Sequence, residues 1–205
     1  MSSKTAAFWD KHAKGYAEKP VKDQLSYDQM LETVATHLKP TDKVLEIGCG
    51  TGSTAVKMSG HVARWVATDI SPGMINIAKS KPAPESAEFL VAGADTAFDD
   101  APFDVVTGFH ILHLVPNPSE TIQSLFDQLK PGGLFISKTV CVANMGFLPK
   151  LFLPLLTRLG VAPMVHLLDT KMLRTLIEAA GFEVLEERIF GDAKQSPYFV
   201  ARRPE

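Results

Sequence analysis

The sequence predicts an α/β fold in which a doubly wound, mostly parallel sheet of seven strands carries helices on both faces. Short apolar runs alternate along the chain with segments of helical periodicity, which is typical of this class. The first apolar run ends in a glycine-rich turn that leads into a helix. A length of 205 residues fits a single domain, 1–205, that buries about 70% of the surface its unfolded chain exposes.

Seven short apolar segments are predicted as strands, at residues 43–47, 64–68, 88–92, 104–109, 134–140, 183–190 and 198–201. Segments with helix signals lie before or between them, at residues 27–38, 53–59, 72–81, 119–129 and 170–180. Pro40 ends the first of these helices, and Pro72 suits the first turn of the third. Ser119 is the predicted N-cap of the fourth helix, and Gly181 is the C-cap residue of the fifth.

The turn after the first strand is the most informative part of the chain. Glu46 ends an apolar run and is followed by glycines at alternate positions, Gly48, Gly50 and Gly52. Glycine permits backbone conformations that other residues avoid, and it lets a ligand lie against bare peptide. Asp69 ends the second strand 21 residues after Gly48, close to the distance at which nucleotide-binding units place a ribose-binding carboxylate. The turn therefore indicates a site for a nucleoside-containing cofactor.

The spacing of the glycines narrows the choice of cofactor. The dinucleotide fingerprint is G-x-G-x-x-G, whereas here the third glycine comes one place early and Ser53 occupies the fingerprint position. A lysine that a P-loop requires after the glycines is missing. The charge of Glu46 would repel a pyrophosphate and attract an ammonium group. S-adenosylmethionine meets this description, and a nicotinamide-dependent oxidoreductase is the alternative because it shares the same βαβ unit.

The segment Glu46-x-Gly48-x-Gly50-x-Gly52 resembles motif I of the class I S-adenosylmethionine-dependent methyltransferases. Five further segments resemble later motifs of that family, in order, within residues 40–190: Asp69-Ile70-Ser71-Pro72-Gly73-Met74, Gly93-Ala94-Asp95, Phe103-Asp104-Val105-Val106, Leu129-Lys130-Pro131-Gly132-Gly133 and Ala180-Gly181-Phe182. The pattern is most similar to the small-molecule branch, which includes quinone-biosynthesis C-methyltransferases. The resemblance implies a Rossmann-like methyltransferase fold with strand order 3-2-1-4-5-7-6 and strand 7 antiparallel. It also implies methyl transfer by direct displacement, with S-adenosyl-L-homocysteine as the product of the cofactor.

The resemblance also implies roles for residues at the strand ends. Asp69 would bind the ribose, Glu46 would organise the loop and the amino-acid end of the cofactor, and Asp95 would accept from the adenine amino group. The other implied cofactor contacts are the loop residues Gly48, Cys49, Gly50 and Gly52, then Ile70, Met74, Ala94, Thr96, Gly108 and Phe109. Each also has a purely structural interpretation: a helix cap for Asp69, a solvated strand end for Glu46, a solvated turn for Asp95, and core packing for Ile70 and Met74.

Two histidines follow the fourth strand, where a substrate should meet the methyl group. His110 or His113 is a candidate general base, because imidazole titrates near neutrality. A base is needed only if the acceptor must lose a proton. The Asn-Pro-Pro-Tyr or Asp-Pro-Pro-Tyr motif of amino-methylating enzymes is missing here, which counts against methylation of DNA or of protein glutamine.

Two segments outside the predicted core should determine the substrate. Residues 6–27 are expected to fold over the cofactor as a lid, with Tyr16 and Tyr27 as candidates to touch it; a helix packed on the sheet edge is the alternative. Residues 144–168 are rich in Leu, Phe and Met but are interrupted by Pro149, Lys150 and Pro154. They form an insertion interpreted as a cap over an apolar or aromatic substrate, or as a contact in a homodimer. A peripheral membrane contact is a weaker alternative, and a stable membrane span is not expected.

The composition of the chain restricts the remaining classes of function. The net charge is −2 and the pI is about 6.3, and no basic run marks a nucleic-acid surface. The two cysteines, Cys49 and Cys141, have no metal-ligand spacing and are expected to be free thiols in a reducing cytoplasm. The amino terminus lacks the apolar core of a signal peptide. A non-catalytic cofactor-binding protein of the same fold is a further alternative.

Overall fold

The computed structural model describes residues 3–96, 98–99, 101–146, 152–153, 156–158 and 161–205. Its strands form one sheet with the order β3-β2-β1-β4-β5-β7-β6. Neighbours from β3 to β5 are parallel, and β7 is antiparallel to both β5 and β6. The strands are β1 (Lys43–Ile47), β2 (Arg64–Asp69), β3 (Ala87–Val91), β4 (Phe103–Phe109), β5 (Leu129–Lys138), β6 (Glu183–Arg188) and β7 (Tyr198–Arg202). The predicted fold class and strand order are confirmed.

Helices precede and connect the strands. They are α1 (Ser3–Ala17), α2 (Gln24–Thr36), α3 (Ser53–Met58), α4 (Pro72–Lys79), α5 (Pro118–Asp127) and α6 (Thr170–Ala179), with short 3-10 helices at Ser59–His61 and Val142–Asn144. No helix within the described ranges is long and apolar enough to cross a lipid bilayer. Helices α3, α4 and α5 are crossover connections, which is why the strands they join are parallel.

Some helices and strands begin or end at residues other than the predicted ones. The predicted N-cap at Ser119 is wrong: Asn117 caps α5 by accepting from the Glu120 N–H at 3.4 Å, and Pro118 is the first helical residue, where its fixed φ is favourable. Helix α2 begins at Gln24, earlier than predicted, because Asp23 accepts from the Ser26 N–H at 3.0 Å. Strand β5 ends at Lys138, two residues before the predicted end at residue 140.

Two apolar cores lie on opposite faces of the sheet, because successive residues of a strand point to opposite sides. One core joins the sheet to α5 and α6 and contains Leu45, Ile47, Val106, Phe135, Phe199, Ile122, Leu125, Leu173 and Ile177. The other joins it to α2, α3 and α4 and contains Val44, Trp65, Val105, Ile136, Val200, Met30, Val34, Ala55 and Ile75. Burial of both faces leaves the strand ends as the accessible part of the sheet.

The strand order reverses between β1 and β4, which creates a crevice outside the carboxyl ends of these two strands. Helix α1 packs against α4 beside this crevice. On α1, the Asp10 carboxylate accepts from the Ser71 hydroxyl at 2.6 Å and from the Gly73 N–H at 2.8 Å. These bonds hold the predicted lid segment next to the end of β2, where Asp69 lies.

Candidate functional site

The loop between β1 and α3 is built on left-handed backbone. Gly48, Gly50 and Gly52 have φ values of 63°, 55° and 74°. The loop is fixed to β2 by the Cys49 N–H, which donates to the Thr68 carbonyl at 2.8 Å. Lys81, two residues after the end of α4, donates to the Thr51 carbonyl at 2.6 Å. The loop is thus held in one conformation from both sides.

The three glycines differ in what surrounds them. A Cβ on Gly48 would lie 2.6 Å from the Ile111 side chain, and one on Gly52 would lie 2.7 Å from Phe89. At Gly50 the nearest atom would be Cε1 of Tyr16, at 3.7 Å. Packing and backbone conformation together require glycine at Gly48 and Gly52, whereas at Gly50 the conformation alone requires it. The peptide at Gly50 therefore lies open beneath the Tyr16 ring.

Gly50→Ala should destabilise the protein by about 1–2 kcal/mol, the cost of a left-handed conformation for a residue with a Cβ. Gly15→Ala is the matched control, since a Cβ there meets nothing within 4 Å and the residue lies within α1. That change should stabilise the protein by about 0.5–1 kcal/mol. Thermal unfolding of both variants separates strain from packing, and equal melting temperatures would contradict the assignment of strain to Gly50.

Asp69 lies at the carboxyl end of β2 and orders its surroundings. One carboxylate oxygen accepts from the Gly50 N–H and the other from the Ser71 N–H, both at 2.9 Å. Burial raises the pKa of Asp69, the backbone donors oppose this, and Asp10 adds to the rise. The carboxylate thus joins the glycine loop to the start of α4 and keeps a fixed position at the crevice.

Glu46 is 2% exposed, so its interpretation as a solvated strand-end acid is wrong. Its carboxylate accepts from the Trp65 indole N–H at 2.9 Å. Burial raises the pKa of Glu46 to about 7, and the nearby Asp69 adds to the rise while Trp65 opposes it. A buried carboxyl that is half-ionised near neutrality is poised to respond to a bound cation.

A first cavity of about 280 Å³ opens beside the loop. It brings together ten of the predicted site residues: Tyr16, Gly48, Gly50, Asp69, Ile70, Met74, Ala94, Phe109, His110 and His113. Trp9 and Thr5 of α1 line it as well, as do the apolar side chains of Ile111 and Leu114. The wall of this cavity thus combines one carboxylate and glycine backbone with aromatic and aliphatic side chains.

A second cavity of about 530 Å³ also borders His110. It shares Tyr16, Gly48, Gly50, Phe109 and His110 with the first cavity and adds the predicted residues Tyr27, Glu46 and Cys49. Its far side is formed by Lys138 and by Phe190. The glycine loop therefore borders two neighbouring cavities, which suits a reaction between two ligands.

A protein family described as a methyltransferase domain matches residues 21–187, which include the loop, both acids and both histidines. The chain belongs to this family. The demethylmenaquinone methyltransferase of Symbiobacterium thermophilum is 32% identical over 109 residues, which are 49% of this chain and 43% of that protein. The ubiquinone biosynthesis O-methyltransferase of Xanthomonas axonopodis pv. citri is 34% identical over 113 residues, 52% of this chain and 47% of that protein. The chain thus spans less than half the length of each of these curated relatives.

The fold is shared with solved methyltransferases over nearly the whole chain. The magnesium protoporphyrin IX methyltransferase of Synechocystis PCC 6803, crystallised with bound SAH, has a TM-score of 0.72 and 17% sequence identity. The similarity covers 97% of this chain and 95% of that one. This similarity supports the fold, and the match of the methyltransferase domain over residues 21–187 confirms the predicted family. The comparisons lend no support to the nicotinamide-dependent alternative.

Four predicted cofactor contacts of this methyltransferase domain, Gly52, Asp95, Thr96 and Gly108, line neither cavity. Gly52 faces the core, and a Cβ on Gly108 would lie 3.1 Å from Ile111 and 3.2 Å from Ile47. Asp95 is exposed on the connection between β3 and β4. The roles assigned to these four residues stay predictions.

The two histidines of the methyltransferase domain are poor proton acceptors in this environment. Burial lowers the pKa of both to about 4, with Lys138 adding to the shift of His110 and His110 to that of His113. His110 also has a left-handed backbone, with φ 57°, and its N–H donates to the Lys138 carbonyl at 2.6 Å. General-base catalysis works best when the pKa lies near the working pH. Both imidazoles are placed to line the cavity, and a role as base stays a prediction.

Only part of the predicted cap insertion, 144–168, can be described, since residues 147–151, 154–155 and 159–160 lie outside the described ranges. Its last part reaches the first cavity through Pro163 and Val165. The His166 N–H donates to the His113 carbonyl at 2.8 Å, which fixes this part to the segment after β4. The end of the insertion therefore contributes apolar wall to the candidate site.

Sequence reasoning missed Trp9, Trp65 and Lys138. Trp9 lies seven residues before Tyr16, at the two-turn spacing that puts both on one face of α1. Lys138 could have been found from sequence, because a charged residue at the carboxyl end of a buried strand indicates a site residue. The predicted strand ran to residue 140 and therefore placed Lys138 in the strand interior. Trp65 had no such signal, since its contact with Glu46 depends on the pairing of β1 with β2.

Proposed function

We propose that the protein transfers a methyl group from S-adenosylmethionine to a small, apolar or aromatic molecule by direct displacement. The observation that carries this proposal is the convergence of the left-handed glycine loop, the buried Glu46 and the fixed Asp69 on one crevice at the reversal of strand order. Membership in a family of methyltransferase domains supports the same reaction.

The residues present suit the parts of this cofactor. Asp69 would accept from the ribose hydroxyls, and Ile70 and Met74 would lie against the adenine, since all three line the first cavity. Glu46 would balance the positive charge of the amino-acid end beside Gly48. When bound, the cofactor supplies an electrophilic methyl group on a sulfonium ion.

The first cavity favours an acceptor with apolar surface. Trp9, Ile111, Leu114 and Val165 form much of its wall, and side chains of this kind bind ligands mainly by excluding water from apolar area. The two curated relatives are named as a demethylmenaquinone methyltransferase and a ubiquinone biosynthesis O-methyltransferase, and both names refer to quinones. The acceptor of this protein is proposed to share that apolar or aromatic character.

The chain's contribution to the chemistry is mainly positioning. Holding the acceptor atom, methyl group and sulfur in line can contribute about 7–11 kcal/mol through proximity and orientation. The apolar part of the cavity wall would keep water from the reacting atoms, and the glycine loop offers backbone groups rather than mobile side chains. No triad or metal is needed for such a displacement.

Two measurements test this proposal. Calorimetry should detect S-adenosylhomocysteine binding at micromolar concentrations and no comparable binding of NAD. Incubation with methyl-labelled S-adenosylmethionine and a pool of small metabolites should then place label in an organic-soluble product, with heat-denatured protein as the control. Tighter binding of NAD would overturn the choice of cofactor. Cofactor binding with no labelled product from any acceptor pool would favour a non-catalytic binding protein.

We further propose a cytoplasmic location and leave a homodimer as a prediction. The two cysteines, Cys49 and Cys141, are buried free thiols, which suits a reducing compartment.

Exposed apolar side chains of the insertion, Leu156, Met164 and Leu167, provide surface for a second copy of the chain. The acceptor itself is proposed to be a small molecule rather than a nucleic acid.

A further inference from the structure

The second cavity contains a buried cation. Lys138 is the last residue of β5, is 8% exposed and lines this cavity together with Glu46 and His110. In the register of the sheet it pairs with Phe109 of β4 on one side and with Tyr198 of β7 on the other. The side chain is therefore confined between two aromatic residues at the accessible end of the sheet.

The ammonium group has weak partners. Its Nζ lies 5.7 Å from the centre of the Phe190 ring, which packs edge-on against Tyr198 at 5.2 Å. Among the residues that the structure describes, no carboxylate lies within 4.0 Å of Lys138 Nζ. Asp23, which also lines the cavity, acts on it only at longer range, and its two oxygens accept from the Ser26 N–H and hydroxyl at 3.0 and 2.6 Å. Glu46 is engaged by Trp65 instead.

A lysine this deeply buried is normally paired, because removing its charge from water is costly. Burial lowers the pKa of Lys138, as expected for a desolvated ammonium, and Asp23 opposes this shift. A cavity beside the group gives the missing partner a place to bind. An unpaired buried charge lowers the stability of the folded protein, and residues that do so are characteristic of binding sites rather than of structural cores.

The position in the sheet separates this cation from the cofactor's nucleoside. Asp69 ends β2 and Lys138 ends β5, and β1 and β4 lie between them. Three strand spacings correspond to about 14 Å. The ribose and adenine would occupy the β2 side, and the cofactor's amino-acid end would lie beside Glu46 and Gly48 at the end of β1, two strand spacings or about 10 Å from the end of β5. An anion at Lys138 therefore belongs beyond the β4 end, where an acceptor would meet the methyl group.

We propose that Lys138 binds a carboxylate in the second cavity and that the methyl acceptor, not the cofactor, supplies it. The inference rests on the proposed function and specifies its substrate class: an apolar or aromatic molecule with an acidic group. Phe190 and Phe109 would contact the part of such a molecule next to its carboxylate, and because Phe109 lines both cavities the apolar body can reach the first one. The ammonium group selects the charge.

The test is a comparison of acids with their neutral amides on protein saturated with S-adenosylhomocysteine. The probes are 4-hydroxybenzoate, 3-phenylpropanoate and decanoate, each paired with the corresponding amide. At least one acid should bind wild-type protein tenfold or more tightly than its amide. Lys138→Met should abolish this preference, and Lys138→Arg should retain part of it. Lys171→Met removes the same charge from an exposed position of α6 and should leave the preference unchanged.

Three outcomes would overturn the inference. The first is an absence of acid preference in wild-type protein across all three pairs. The second is a tenfold loss of S-adenosylhomocysteine affinity in Lys138→Met with the acid preference intact, which would assign the carboxylate to the cofactor. The third is a lower melting temperature for Lys138→Met, since loss of an unpaired buried charge should leave stability equal or higher. Failure of S-adenosylhomocysteine to bind wild-type protein would instead refute the proposed function, and the acid–amide comparison then proceeds on the free protein.

Discussion

Asp69→Ala is expected to raise the dissociation constant for S-adenosylhomocysteine about 100-fold, a loss of about 2.7 kcal/mol. Hydrogen bonds from ribose hydroxyls to a carboxylate contribute about 1.5–3 kcal/mol each when one partner is charged. The same carboxylate accepts from the Gly50 N–H, so its removal also releases the loop that the cofactor would contact. Isothermal calorimetry on folded protein measures the change directly.

Asp104→Ala is the matched control for this experiment. Asp104 lies near the amino end of β4, at the opposite edge of the sheet, and it also bridges elements by accepting from the Lys43 N–H at 2.9 Å and from Lys130 Nζ at 2.6 Å. Its loss should lower the free energy of unfolding while leaving cofactor affinity within about twofold, because ligands of such sheets bind at the carboxyl ends. Wild-type affinity in Asp69→Ala, or an equal loss in both variants, would refute ribose binding by Asp69.

The contrast between these two aspartates shows what the sequence could predict. The pattern of apolar runs predicts that Asp69 ends one strand and that Asp104 begins another. In a parallel sheet, the direction of the chain alone then places the two residues at opposite edges. The glycine spacing and the distance to Asp69 are local features, so the sequence could predict that Gly48, Gly50 and Asp69 lie together, and the structure has all three lining one cavity. The order of the strands came from the motif resemblance, because alternation of helices and strands does not fix which strands are neighbours.

The features that escaped prediction depend on contacts between distant parts of the chain. The Trp65 indole meets Glu46 only because β1 and β2 pair in one register, and a shift by one residue would turn the indole to the other face. Asp10 meets Ser71 across 61 positions of sequence, which no periodicity encodes. That no carboxylate of the described residues lies within 4.0 Å of Lys138 Nζ likewise becomes visible only when the groups around it in space are known.

Glu46→Gln should remove a pH dependence that the wild-type protein carries. Burial raises the pKa of Glu46 to about 7 from an ordinary value of 4.5, so the folded protein holds its proton in a pH range where the unfolded chain has lost it. Stability from this group is therefore fully present below pH 4.5 and is lost as the pH rises through about 7. The loss amounts to about 3 kcal/mol. Denaturant unfolding should find Glu46→Gln similar to wild type at pH 4.5 and more stable at pH 8.

The same charge should couple cofactor binding to proton release. A bound sulfonium and ammonium stabilise the ionised carboxylate, so the affinity for S-adenosylmethionine should rise between pH 5.5 and 7.5 in wild-type protein and stay nearly flat in Glu46→Gln. Calorimetry in two buffers of different ionisation enthalpy should detect up to one proton released at pH 6. Glu88→Gln is the control, since that carboxylate lies partly exposed on β3 and pairs with Arg64. Equal pH profiles for wild-type and Glu46→Gln protein would mean that Glu46 does not sense the cofactor's charge, because only a carboxyl that ionises on binding can produce the difference.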